Sequence, residues 1–205
     1  MSDTPAGSTI LRPARPHHDE GLAFARYLDE AAEGFFGLML GRNAHDIIAT
    51  AFVEPNHSLS HEHVTFAERD DAIVGAYSAF TGRQHLAFSD EPLERAAGRS
   101  ALRMKTMRVL FAPLWRILEN VAENEFYLQA IAVDPECRGL GIGSLLMEDI
   151  ERCARESGAA RLSLHVAVKN DTARRLYARR GMIEESEWPG PRFIPSVFVH
   201  MAKEL

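Results

Sequence analysis

At 205 residues and 22.9 kDa the chain is too short for a large multidomain machine, yet long enough to bury a core without metals or disulfides. Hydrophobic residues at 46% and charged residues at 25% exclude wholesale disorder and fibrous repeats. The 29 acidic against 23 basic residues leave a formal charge of −6, which argues against a surface built to grip nucleic acid or anionic lipid.

Cys137 and Cys153 have neither the density of a disulfide framework nor the CxxC pairing of a structural zinc site, so a reducing compartment is expected. Met1–Thr9 does not resemble a secretory signal, and the apolar runs Gly34–Gly41 and Val109–Trp115 fall well short of the roughly 20 residues of a membrane span. The expected location is cytoplasmic.

Residues 1–8 are small and polar and are expected to be disordered. Thr9–Ala14 reads as a strand closed by Pro13 and Pro16. In Glu20–Leu40, apolar residues recur every three or four positions, which predicts a helix or helix pair broken near Gly34 and Gly37. His63–Ala67 and Ala72–Phe80 form a predicted hairpin turning at Arg69-Asp70-Asp71, with a loop over Thr81–Glu91. Pro92–Asn124 reads as a long helical stretch kinked at Pro113. On it Arg95, Arg99 and Arg103 would share an exposed face and repel mildly, opposite an apolar face of Ala96, Leu102, Met107 and Leu110.

Phe126–Val133 is a short hydrophobic run, a buried strand, bounded by Asp134-Pro135. Gly143–Ser157 follows as a helix with Leu145, Leu146, Ile150 and Ala154 on one face. Arg161–Val168 alternates with period two and is a strand. Asn170-Asp171-Thr172 can cap a helix over Ala173–Arg179, which stops at Gly181. Strands near Met182–Ser186 and Val197–Lys203 flank a Pro/Gly-rich loop. Residues 9–205 make one domain, with a helical insertion at about 92–124.

The stretch Arg138-Gly139-Leu140-Gly141-Ile142-Gly143-Ser144 joins a buried strand to an amphipathic helix. Glycines let backbone N–H groups converge, and the helix adds its positive end, so the pattern points to a phosphate site. The spacing is not GxGxxG, and no lysine stands where a P-loop needs one. A tight turn that needs glycine for packing alone is the other explanation.

This loop resembles the [Gln/Arg]-x-x-Gly-x-[Gly/Ala] motif of the GNAT superfamily of acyl-CoA-dependent N-acetyltransferases. The resemblance extends through Leu128–Pro135 before the loop and Asn170–Met182 after it. It implies an α/β (α+β) fold: a mixed, mostly antiparallel central sheet with helices on both faces, splayed between two parallel central strands, Phe126–Val133 and Arg161–Val168. It also implies acetyl-CoA as donor co-substrate, with no metal. The backbone of Ile131, Ala132 and Val133 would hold the pantetheine arm. Arg138, Gly139, Leu140, Gly141, Ile142, Gly143 and Ser144 would hold the diphosphate. Asn170 matches a position near the pantetheine, although capping the next helix explains it equally well. Tyr177 matches a tyrosine whose hydroxyl reaches the thioester sulfur and can donate a proton to the leaving thiolate.

The candidate base is His165, which lies opposite Leu162, Leu164 and Val166 on its strand and titrates in a suitable range. Leu164-His165-Val166 also resembles a strand of some protein N-terminal acetyltransferases in which a histidine acts with a central-strand tyrosine, here Tyr127. Glu125 and Gln129 are weaker candidates, and Glu125 can equally sit at an exposed strand end. Phe35, Phe36, Met39 and Trp115 are candidates for the acceptor entrance. His57, His61 and His63 lack a metal-ligand spacing, so solvated or hydrogen-bonded histidines are expected. The expected partner is a small-molecule or peptide amine acceptor, with no nucleic acid or membrane, and the protein would be a monomer or homodimer. The rival function is a non-catalytic acyl-CoA-binding sensor or interaction module.

Overall fold

Period-two segments along the chain assemble into one seven-stranded mixed sheet in the computed structural model, which describes residues 8–110, 112, 121–189 and 196–205. Residues 1–7 of the disordered start expected over 1–8, the kink at Pro113 and the entrance role of Trp115 fall outside them. The strands are β1 (Thr9–Pro13), β2 (Val64–Arg69), β3 (Ala72–Thr81), β4 (Glu125–Val133), β5 (Arg161–Ala167), β6 (Ile183–Trp188) and β7 (Phe198–Glu204). Their order is β1-β2-β3-β4-β5-β7-β6, and every neighbouring pair is antiparallel except β4 with β5. Pro13 is accommodated because β1 is an edge strand and ends there. Asp70 and Asp71 both take positive φ, 50° and 61°, the backbone a tight hairpin with right-handed twist demands.

Eight α-helices are described: α1 (His18–Ala31), α2 (Phe35–Leu40), α3 (Ala44–Phe52), α4 (Gly82–Leu86), α5 (Glu91–Ala97), α6 (Ala101–Leu110), α7 (Ile142–Glu156) and α8 (Asp171–Arg179). Helices α7 and α8 cover one face of the sheet, where Leu146, Met147 and Ile150 are fully buried against Leu128, Leu162, Leu164 and Met201. Helices α1 and α3 cover the other, where Phe24, Leu28, Ile48 and Phe52 meet Phe66 and Ala76. Each such side chain contributes about 1.5–3 kcal/mol by leaving water, so the two layers fix the sheet between them.

Strand β4 changes phase halfway. Ser78 pairs with Ala130 but Ala79 pairs with Leu128, so Gln129 is an extra, bulged residue. Leu128, Ile131 and Val133 therefore pack toward α7, while Tyr127, Ala130 and Ala132 turn to the opposite side. The parallel pairing of β4 with β5 runs only from Glu125/Arg161 to Leu128/Leu164, and beyond it the strands diverge. The splayed, mostly antiparallel sheet expected from the sequence is present.

Four points of the sequence reading need correction. Helix α3 stands in a segment that the sequence reading left unassigned, although Ala44, Ile47, Ile48, Ala51 and Phe52 make a buried helical stripe. The expected loop Thr81–Glu91 contains α4, started by a capping box in which Thr81 and Gln84 bond each other's backbone. The long helix over Pro92–Asn124 is interrupted at Gly98, with φ 48°, by a 3₁₀ turn at Gly98–Ser100, which resets the helical face. Met104 is consequently the buried residue of α6, while Leu102 and Leu110 stay 75% and 67% exposed. Nor do the arginines repel along one face: Arg95 pairs with Glu54 at 2.7 Å and Arg103 donates to the Leu38 carbonyl at 2.8 Å. Among the described residues, no helix is long and apolar enough to cross a membrane.

Candidate active site

Where β4 and β5 part, a cleft of about 580 Å³ opens. Gln129–Val133 form one wall and His165–Asn170 the other, Tyr177 and Ala173 of α8 line it, and Glu30–Glu33 and Arg138 stand at its rim. Past Leu128, β4 is paired to β3 along one edge only. The backbone groups of its other edge have no strand partner and are available to an extended ligand.

At the end of β4 the chain makes a 3₁₀ turn, Pro135–Cys137, and enters α7 through the glycine loop. Gly139 and Gly141 have φ of 80° and 84°, a region that side chains with a Cβ disfavour. Gly143 does not need that freedom, and a Cβ at Gly139, Gly141 or Gly143 would meet nothing within 4 Å. Among the described residues, no hydrogen bond takes the amides of Gly139 through Ser144. The loop thus brings its N–H groups to the positive end of a 15-residue helix, which suits a diphosphate.

The side chains of this loop behave differently from its backbone. Ile142 is buried in the core, so only its amide can serve a ligand, and Leu140 is exposed. Arg138 donates to the Val133 carbonyl at 3.2 Å and ion-pairs with Glu30 of α1 across the rim. Arg180, which the sequence reading did not single out, bonds the Ser144 carbonyl at 3.0 Å and ties the end of α8 to the start of α7. Asn170 caps α8, its Oδ1 accepting from the Ala173 amide at 3.1 Å, while also lining the cleft.

Tyr177 is 6% exposed and borders the cleft. Burial pushes its phenol up to about 12, so it stays protonated at neutral pH and can donate. Across the wedge, the Tyr127 hydroxyl lies 3.1 Å from His165 Nδ1. Burial, with a smaller effect of Glu125, also raises Tyr127. His165 does not titrate where the sequence placed it: burial, and secondarily His200, lowers it to about 4. The imidazole is therefore neutral throughout the physiological range.

Glu125 is not at an exposed strand end. It is 6% exposed, accepting from Ser163 Oγ at 2.9 Å and from Arg161 at 3.4 Å. Gln129 accepts from Ser78 Oγ at 3.0 Å, which fixes the bulge. His200 and Glu185, missed by the sequence reading, are brought to this region by the sheet: His200 pairs opposite His165, and Glu185 is the bulged residue of β6 beside it.

Other candidates have structural partners. His57 holds the Ala51 carbonyl at 2.9 Å and accepts from the Leu59 amide, His61 bonds the Phe52 carbonyl, and His63 is buried among Phe80 and Phe88. Met39 is core, and Phe35 and Phe36 pack partly buried against the same core and do not line the cleft.

A strand edge without a strand partner and a buried phenol in one cleft, with a glycine-rich loop entering a helix beside its rim, stand in a chain that is similar to known acetyltransferases. The protein is 36% identical over 59 residues to an uncharacterized N-acetyltransferase, YdgE, of Bacillus subtilis (strain 168), a match spanning 29% of this chain and 38% of that relative. A crystal structure described as an acetyltransferase superimposes with a TM-score of 0.66 at 25% identity, covering 95% of this chain and 98% of that one. An N-acetyltransferase from Staphylococcus aureus Mu50 shares the fold with a TM-score of 0.65 at 16% identity, covering 95% of this chain and all (100%) of that one. The model of the acetyltransferase (GNAT) family matches residues 11–182, from β1 through the glycine loop to the end of α8, and the chain belongs to that family.

Proposed function

We propose that the protein transfers the acetyl group of acetyl-CoA to a primary amine of a small molecule or peptide, by direct attack within a ternary complex. The observation that carries this reading is the conjunction of three features: the edge of β4 without a strand partner and the protonated phenol of Tyr177 line one cleft, and the glycine loop that starts α7 follows directly on Arg138 at its rim.

The residues divide the work by position. The amides of Gly139–Ser144 hold the diphosphate, and the open edge at Ile131–Val133 holds the pantetheine arm as an added strand would be held. A backbone N–H of the same edge stabilises the oxyanion that develops on the thioester carbonyl. The amine nitrogen bonds to the carbonyl carbon, the carbon–sulfur bond breaks, and the sulfur takes the Tyr177 proton. An alkylammonium with a pKa near 10.4 is free base in roughly one molecule in two thousand at neutral pH. His165, kept neutral, always has a lone pair to offer. When Nδ1–H points at the Tyr127 oxygen, Nε2 accepts the hydrogen bond, and transiently the proton, of the incoming amine.

An amine panel with a free-thiol readout and mass spectrometry of the products tests the proposal. One thiol released per acetylated amine is expected. Binding of acetyl-CoA without amine-dependent thiol release would favour a non-catalytic acyl-CoA-binding module instead.

A further inference from the structure

Behind the Tyr127–His165 pair the sheet places a second imidazole. His165 and His200 are directly opposite on β5 and β7, and their rings lie 4.9 Å apart at 46°. On the far side, His200 Nδ1 is 3.3 Å from Glu185 Oε2. A β-bulge brings that carboxylate there: Glu184 pairs with Met201 but Ser186 pairs with His200, so Glu185 is the extra residue of β6. Bulges of this kind re-aim a side chain. The other oxygen of Glu185 is held by Arg161, which also reaches Glu125 and Glu204. The titratable and charged groups around the two rings are therefore Tyr127 on β4, Arg161 on β5, Glu185 on β6, and each ring to the other.

The two imidazoles are not equivalent. His200 faces a carboxylate, whereas His165 faces a phenol and the other ring. Two like charges this close are costly in a partly buried site.

We propose that His200, clamped by Glu185, is a positioning residue for the Tyr127–His165 pair: it packs on the His165 ring and holds that imidazole aimed into the cleft. This inference rests on the role of His165 in the acetyl-transfer reading, which its test separates from the positioning itself.

The test is an NMR titration of the imidazole nitrogens in the full-length protein, alongside kcat/KM against pH referred to free amine. In the unaltered protein, the His165 imidazole should hold a single tautomer; an even mixture of the two would overturn the proposal. In His200→Gln the His165 titration should move up by about one pH unit, and the acidic limb of the rate profile should move with it. In His200→Lys, which puts a cation beside Glu185, both should return toward the original values. A His165 titration that stays in place in folded His200→Gln would also overturn the proposal. If the titration moves but the rate profile does not, the positioning stands and the role assigned to His165 in turnover falls. The measurement on the unaltered protein keeps the inference testable should His200→Gln fail to fold.

Discussion

Gly141→Ala isolates the backbone geometry on which the phosphate site depends. Gly141 caps α7 with φ 84°, and a Cβ there would touch nothing within 4 Å, so the substitution introduces backbone strain without a clash. Left-handed backbone costs a residue with a Cβ about 1–2 kcal/mol. That cost must appear in one of two places. If the loop keeps its shape, folding bears it, and the melting temperature falls by roughly 2–8 °C for a chain of this size. If the free protein relaxes by turning the loop, binding bears it, and acetyl-CoA affinity drops about 5- to 30-fold. Gly143→Ala is the control in the same loop: its backbone is ordinary helix with open space around it, so alanine should raise stability by about 0.5–1 kcal/mol. Thermal melts and calorimetric titration with acetyl-CoA on both variants read the two terms. If the two effects in Gly141→Ala together amount to less than a few tenths of a kcal/mol, the left-handed turn is not what presents the amides, and the reasoning fails.

Tyr177→Phe should lower kcat by about 100-fold, the low end of what a positioned acid contributes, with the affinity for acetyl-CoA unchanged; an unaltered kcat would remove Tyr177 from the chemistry. Because burial holds His165 near 4, kcat/KM referred to free amine should run flat through pH 6.5 and fall only on approach to pH 4, and an inflection near 6.5 that disappears in His165→Gln would contradict this. His63, 8% exposed with its Nε2 lacking a hydrogen-bond partner among the described residues, is also lowered to about 4 by burial. Its unfolded form binds a proton that the folded form refuses between about pH 6.5 and 4, so stability falls as the pH drops through that window, and urea melts of His63→Phe should show a shallower acid loss.

The parts of the fold that were legible in the sequence have local causes. The stripe of Leu146, Ile150 and Ala154, the Asn170 cap and the left-handed Gly181 specify α7 and α8 within a few residues of themselves. The Asp70-Asp71 turn fixes the β2–β3 hairpin in the same way. Where the reading failed, a short-range signal was overlooked or a long-range one decided. The capping pair Thr81 and Gln84 was visible and marks α4, whereas Gly98 alone does not announce that the following helix will bury Met104 rather than Leu102. Glu125 reads as a strand end but is buried because Arg161 and Ser163 arrive from β5. The resemblance pointed to Tyr177, which borders the cleft, and the left-handed turns of the glycine loop were readable because they are written in consecutive residues. The neutrality of His165 was not, since it depends on desolvation and on His200, 35 residues away and one strand over. No spacing rule encodes the bulges at Gln129 and Glu185 that bring those groups together.

Amide hydrogen exchange with and without saturating acetyl-CoA puts the central claim to its most direct test. The amides of Gly139 through Ser144, which have no hydrogen-bond acceptor among the described residues, should exchange fast in the free protein and slow sharply on binding, together with those of Ile131–Val133. Binding that leaves those amides exchanging at their original rate would place the ligand elsewhere and contradict the account.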